Sequence, residues 1–243
     1  MISEEANWDR EDWTKRAYKL LEGVREFPKD KKIIMVMRHS HRYDSQDIRN
    51  HMHDKLTPLG HKYAKVFGKE LPKDRPLRIY HSMIERCKET AENILEGFNH
   101  KDHKDFPQAQ INGSLEVLYD LEISEEDFYR EATKYPLDRL LYRWAAGLYP
   151  PEMIPPIHEY AEKAANAIWG KIDEGPQRSI DIHVSHDLIL LCLRLGWFGL
   201  PKQEWPTYLS GFAFTFKEDK ILLYDYDHFK TVEIPYWWHR EKQ

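Results

Sequence analysis

Two periodicities, helical and strand-like, take turns along this chain. Trp13, Ala17, Leu20, Leu21 and Val24 recur at helical spacing within residues 8–27, which predicts an amphipathic helix ended by Pro28 and the charges that follow it. Residues 33–37 read Ile-Ile-Met-Val-Met between charged neighbours, the pattern of a strand buried on both faces of a parallel sheet. Residues 40–55 are polar and predict a loop. Thr57-Pro58 reads as an N-cap followed by proline at the first helical position, with a helix running to about Leu71 through Leu59, Tyr63, Val66 and Phe67. Residues 78–82 predict a strand, 83–98 a helix and 99–114 a polar loop. Residues 115–150 are helix-prone but broken by Pro136 and Pro150-Pro151. Segment 157–172 predicts a helix, 181–185 a third buried strand, and 188–197 an apolar helix. Residues 211–216 and 220–227 predict two strands joined by a short charged turn.

Strand alternating with helix implies a three-layer α/β/α sandwich around a mostly parallel central sheet. On this reading residues 1–243 form one domain. Residues 1–28 add an N-terminal helical extension, and residues 99–155 form a short helical insertion, a cap, between the second and third strands.

Charge narrows the function. The chain has 243 residues with 36 Lys and Arg against 41 Asp and Glu, a formal net charge of −5. Such a surface has no global attraction for nucleic acid or anionic membrane, so a bound anion must be drawn by a local basic pocket. No apolar run approaches the length of a membrane span. The acidic start and the two cysteines, Cys87 and Cys192, give no sign of a secretory leader or a disulfide scaffold. The expectation is a cytoplasmic protein, with its oligomeric state open.

The chemistry concentrates behind buried strands, where α/β sheets place their ligands. The first strand delivers Arg38, His39, Ser40, His41 and Arg42. The second leads through Ser82 to Arg86 in the first turn of a helix, and the third delivers His186-Asp187. Guanidinium groups match phosphate oxygens with paired donors and keep their charge. His39 is the candidate nucleophile, forming a phosphohistidine. Arg38, Arg42, Arg86 and His186 are the candidate phosphate ligands, His186 steadying charge in the transition state. Asp187 is the candidate proton donor. The arginines supply the positive charge, so neither a metal ion nor another cofactor is required, and the expected partner is a small phosphorylated substrate.

These residues resemble the histidine phosphatase superfamily. The family's Arg-His-Gly stands here as Val-Met-Arg38-His39-Ser40, with serine in place of glycine. Its second signature is matched by Ser82, Arg86, Thr90 and Ala91, its Leu-Thr-x-x-Gly by Leu56 to Gly60, and its second histidine by His186. The resemblance covers about residues 31–98 and 178–228. Arg38-His39-x-x-Arg42 and His186-Asp187 lean toward the acid phosphatase branch, which implies Asp187 as proton donor. The mutase branch takes its donor from the insertion, where Glu116 is the match. The resemblance implies a phosphoglycerate mutase-like fold and phosphomonoester hydrolysis. A non-catalytic phosphate- or phosphopeptide-binding scaffold and a mutase-like phosphotransferase are the alternatives. A third alternative is a metal-dependent hydrolase using His186, Asp187, His158 and Asp225. Substrate selection is expected from the insertion's aromatic and arginine side chains, among them Tyr119, Phe128, Tyr129, Arg139 and Arg143.

Overall fold

The computed structural model describes Trp8, residues 12–99 and residues 108–238. Residues 9–11 of the expected N-terminal helix and residues 100–107 of the expected loop lie outside them. The chain runs α1 (Asp12–Glu26), β1 (Ile33–Arg38), α2 (Pro58–Glu70), β2 (Leu77–His81), α3 (Glu85–Phe98) and β3 (Ala109–Ser114). It continues through α4 (Glu125–Lys134), α5 (Leu137–Ala145), α6 (Ile157–Ile168), β4 (Ile180–Ser185) and α7 (Asp187–Phe198), then β5 (Gly211–Lys217), β6 (Lys220–Asp225) and β7 (His228–Glu233).

The strands form one seven-stranded sheet in the order β3-β2-β4-β1-β5-β6-β7. Strands β3, β2, β4 and β1 are parallel, and β5 to β7 extend the sheet as an antiparallel meander. β1 is buried on both faces, as its continuous apolar run predicts. Ile33, Met35 and Met37 pack into a core with Leu20, Leu21, Phe67 and Ile94, while Ile34 and Val36 face the opposite core with Ala164, Trp169 and Leu190. Strand alternation thus feeds two helical layers from one strand.

The sheet register sets up the site. Arg38 lies opposite Ser185, and Val184 lies opposite both Met37 and His81. The three parallel strands therefore end at the same level. Beyond the last pairs, the His39 N–H donates to the Ser185 carbonyl and the Ser82 N–H to the Val184 carbonyl.

Two strands escaped the sequence pattern. Residues 109–114, expected as loop, form β3. This strand lies at the sheet edge, where only alternate residues are partly covered and Ala109 and Ile111 alone reach the core. β7 lies at the other edge and is polar for the same reason. An edge strand needs little apolar sequence. With β3 in the sheet, the insertion begins after Ser114. Trp237 and Trp238 pack against Trp169, with ring centroids 6.0 and 5.2 Å away.

The start of α2 is held close to the loop after β1. Thr57 caps the helix by accepting from the Gly60 N–H at 3.0 Å, and Pro58 follows it. A Cβ on Gly60 would lie 2.0 Å from the His41 carbonyl oxygen. Gly60→Ala is expected to destabilise the protein by at least about 2 kcal/mol in chemical denaturation, because backbone faces backbone there and neither side can yield cheaply.

Candidate active site

A cavity of about 580 Å³ opens where β1, β2 and β4 end. Arg38, His39, Arg42, Arg86, His186 and Asp187 all line it. Six of the residues singled out in the sequence are thus brought together from three chain segments.

His39 is 2 % exposed. Its Nδ1 lies 2.8 Å from the Ser40 carbonyl oxygen, so Nδ1 carries the proton and donates it. Nε2 therefore bears the lone pair, and it accepts from Arg86 Nε–H at 3.0 Å. Burial, together with the charges of Arg86 and Arg38, holds the His39 imidazole well below its ordinary range. His186 has the opposite tautomer. Its Nδ1 lies 3.0 Å from Arg86 Nη2, a group that can only donate, so Nε2–H points to the Ser82 hydroxyl at 2.9 Å. Burial and the Arg86, Arg38 and Arg42 charges also push His186 well down. One arginine thus fixes the orientation of both rings.

Arg86 is itself anchored. Its Nη1 donates to the His51 carbonyl at 2.6 Å and to the Met52 carbonyl at 3.4 Å. These carbonyls belong to a 3-10 turn over Ile48–His53. Thr90, one turn further along α3, donates to the Arg86 carbonyl at 2.7 Å and accepts from the Ser40 N–H at 3.0 Å. This link explains why arginine and threonine sit four residues apart. Cys87 lies beside His186, with Sγ 3.5 Å from Nε2, but burial pushes its thiol up to about 11. It is therefore no competing thiolate.

Ser40 does not carry the backbone strain expected of a residue in a glycine position. It is absent from the residues with positive φ, and its hydroxyl donates to the Gly60 carbonyl at 2.7 Å. The serine replaces conformational freedom with a tether between the β1 loop and α2.

Arg38 bridges two parts of the site. Its Nη2 lies 2.8 Å from Asp187 Oδ2, and its Nη1 donates to the Pro206 carbonyl at 2.8 Å. The Tyr208 ring lies under its guanidinium at 4.3 Å. Asp187 also accepts from the Trp205 indole at 2.9 Å and from the Leu188 N–H at 2.8 Å. Tyr208 and Trp205 were not legible as site residues, because nothing in local spacing connects them to residues some 20 or 170 positions away. Trp13, from α1, stacks on His41 at 5.6 Å and meets Tyr208 edge-on at 5.7 Å. The N-terminal helix thereby braces the loop that carries His39.

Arg42 lines the cavity but is shared, pairing with Asp54 and with Asp44 at 3.0 Å. Asp44, His51 and Asp54 are close enough to meet one metal ion. The Arg42 guanidinium already pairs with both carboxylates.

Glu116 departs from expectation. It is exposed and does not line the cavity. The 3-10 turn over Glu116–Leu118 is oriented by its backbone instead, with the Leu118 carbonyl accepting from Ser185 and the Val117 carbonyl from Tyr160. The metal-dependent arrangement is not assembled either. His158 is exposed, and Asp225 is bound to Arg194 through both oxygens at 2.9 Å, away from the cavity. Of the candidate specificity residues, Tyr119, Phe128 and Tyr129 line the cavity. Arg139 and Arg143 do not, and they stack on Tyr135.

A third buried histidine lies outside the site. His183 of β4 stacks on Tyr80 at 4.9 Å, and burial pushes it down to about 4. A histidine kept neutral in the fold and free to protonate when unfolded stabilises the protein fully above pH 6.5 and loses that contribution as pH falls toward 4. The window is worth about 3 kcal/mol for His183. His39 and His186 act in the same direction. His183→Phe is expected to flatten the dependence of unfolding free energy on pH between 6.5 and 4, and an unchanged slope in urea titrations would assign the dependence elsewhere.

Comparison with known proteins places these features in a group. The model of the histidine phosphatase superfamily, branch 1, matches residues 34–215. Among solved structures, mycobacterial hydrolase 1 is similar with 15 % identity and a TM-score of 0.54, covering 82 % of this chain and 99 % of its own. The mycobacterial glucosyl-3-phosphoglycerate phosphatase shows 17 % identity and a TM-score of 0.49, covering 75 % and 88 %. Phosphoserine phosphatase from Entamoeba histolytica, as a histidine-to-alanine mutant with phosphoserine, shows 14 % identity and a TM-score of 0.49, covering 80 % and 95 %. A search of curated protein sequences finds no match. Among the described residues, no helix is long and apolar enough to cross a membrane.

Proposed function

We propose that this chain, which belongs to branch 1 of the histidine phosphatase superfamily, hydrolyses phosphomonoesters through a phosphohistidine on His39. The observation that carries this reading is the His39 tautomer. Nδ1 is committed to the Ser40 carbonyl, so the Nε2 lone pair faces a cavity lined by three arginines.

The substrate phosphate would displace internal partners of Arg38 and Arg86 and take their donors. His39 Nε2 attacks phosphorus in line, the P–N bond forms, and the bond to the alcohol oxygen breaks. The Nδ1–H bond to Ser40 shares the positive charge that develops on the ring. Arg38 and Arg86 donate to the equatorial oxygens, where charge spreads as the bonds exchange, with His186 orienting Arg86 through its Nδ1. Asp187, released from Arg38, takes up a proton from solvent and gives it to the leaving alkoxide. It then takes one from the water that attacks the phosphohistidine, releasing phosphate and restoring neutral His39.

The test is turnover of p-nitrophenyl phosphate in the presence of EDTA, followed by rapid quenching into base. Phosphohistidine survives base and is lost in acid, so a base-stable, acid-labile phosphoryl adduct on the peptide containing His39 is the expected result. Vanadate is expected to inhibit. Turnover with no such adduct, or turnover that EDTA abolishes, would overturn the reading. Asp187→Asn should slow both formation and loss of the adduct, by about 10²-fold or more.

A further inference from the structure

Resting on that reading, we propose that the site selects monoesters whose alcohol part is aromatic or apolar and carries no second anionic group. The walls of the cavity beyond the phosphate end are the first ground. Leu121, Ile123, Phe128, Tyr129 and Leu137 come from the insertion, and Trp205 comes from the loop before β5. A cavity of about 580 Å³ is far larger than a phosphate group and accommodates a ring-sized alcohol.

The charge of the lining is the second ground. Among the described residues, three arginines face four carboxylates, Asp44, Asp120, Glu125 and Asp187, and no lysine lines the cavity. Two of those arginines are already paired, Arg38 with Asp187 and Arg42 with Asp44 and Asp54. Arg49, which faces Tyr129 from the adjoining 3-10 turn, comes with Asp47 beside it. The arginines can satisfy one phosphate. A carboxylate or second phosphate on the substrate would meet apolar rings or the acidic groups Asp120 and Glu125, and among the described residues lining the cavity no cation remains beyond the arginines that hold the first phosphate. An aromatic ring in the same place buries apolar surface against Phe128 and Tyr129 and meets no unpaired charge.

The experiment compares two substrates with similar primary-alcohol leaving groups, 2-phenylethyl phosphate and 3-(phosphonooxy)propanoate, so that leaving-group reactivity does not decide the outcome. The expected kcat/KM for the phenyl ester is at least about tenfold higher. Glu125→Lys, at an exposed position, and Phe128→Ala should each shrink that ratio severalfold. Equal or reversed preference, with both esters turned over, overturns the specificity while leaving the hydrolase intact. If neither ester nor p-nitrophenyl phosphate is turned over, the proposed function fails. The specificity is then decided by calorimetry with 2-phenylethylphosphonate and 3-phosphonopropanoate. Tighter binding of the phenyl compound sustains it, and equal binding, or none, overturns it.

Discussion

Replacing His39 with alanine is expected to lower kcat for p-nitrophenyl phosphate at least about 10⁴-fold, because the reaction loses its nucleophile and not merely a charge. The arginines and His186 remain, so the variant should still bind vanadate or phosphate. Neither Cys87 nor Ser82, the thiol and hydroxyl beside His186, stands ready to replace His39. Cys87 is fully buried and held as the thiol, with its pKa pushed up to about 11. Ser82 is fully buried and points at His186. The substitution also removes the acceptor for Arg86 Nε. A melting curve is the control that separates lost chemistry from lost fold. Retained turnover in a folded variant would remove His39 from the mechanism.

Arg86 should give the second largest effect, and its two substitutions should part company. It is 6 % exposed and reaches both histidines and two backbone carbonyls from one guanidinium. Lysine keeps the charge but presents a compact ammonium that cannot span those acceptors. Arg86→Lys is expected to lower kcat about 10²- to 10³-fold. Arg86→Met should cost at least as much and add a change in pH dependence. Arg86 is the foremost charge, after burial, holding His39 and His186 down. Its removal raises both, so His39 takes up a blocking proton at higher pH. The acid limb of kcat/KM should therefore move upward for Arg86→Met and stay in place for Arg86→Lys. Identical profiles in the two variants would mean that burial alone sets the histidines.

The fold's parallel half was legible because burial on both faces writes itself into continuous apolar runs. Residues 33–37 are such a run, residues 181–185 alternate apolar Ile182 and Val184 with polar neighbours, and each segment is followed by the polar residues that line the cavity. The helix start at Thr57-Pro58 was legible because capping is local chemistry. β3 and β7 were not legible, since an edge strand is covered on one side at most and carries no comparable signature. Glu116 shows the limit of spacing as a guide. A carboxylate in the insertion was a reasonable donor by position, yet the 3-10 turn that carries it packs through its backbone and leaves the side chain exposed outside the cavity.

The sequence by itself determined which residues could handle a phosphate, because arginines and histidines behind buried strands have few other reasons to occur there. Tertiary structure decided how they are used. Only the shared level of three strand ends brings His39, Arg86 and His186 together, and only that meeting fixes the two opposite tautomers. Tyr208, Trp205 and Trp13 reach the site from distant segments, and the acidic, aromatic lining of the cavity is assembled from the insertion and the loops. Local chemistry is written in neighbouring residues. The protonation of His39 and the charge its cavity presents depend on distances between residues far apart in the chain, which exist only once the chain is folded.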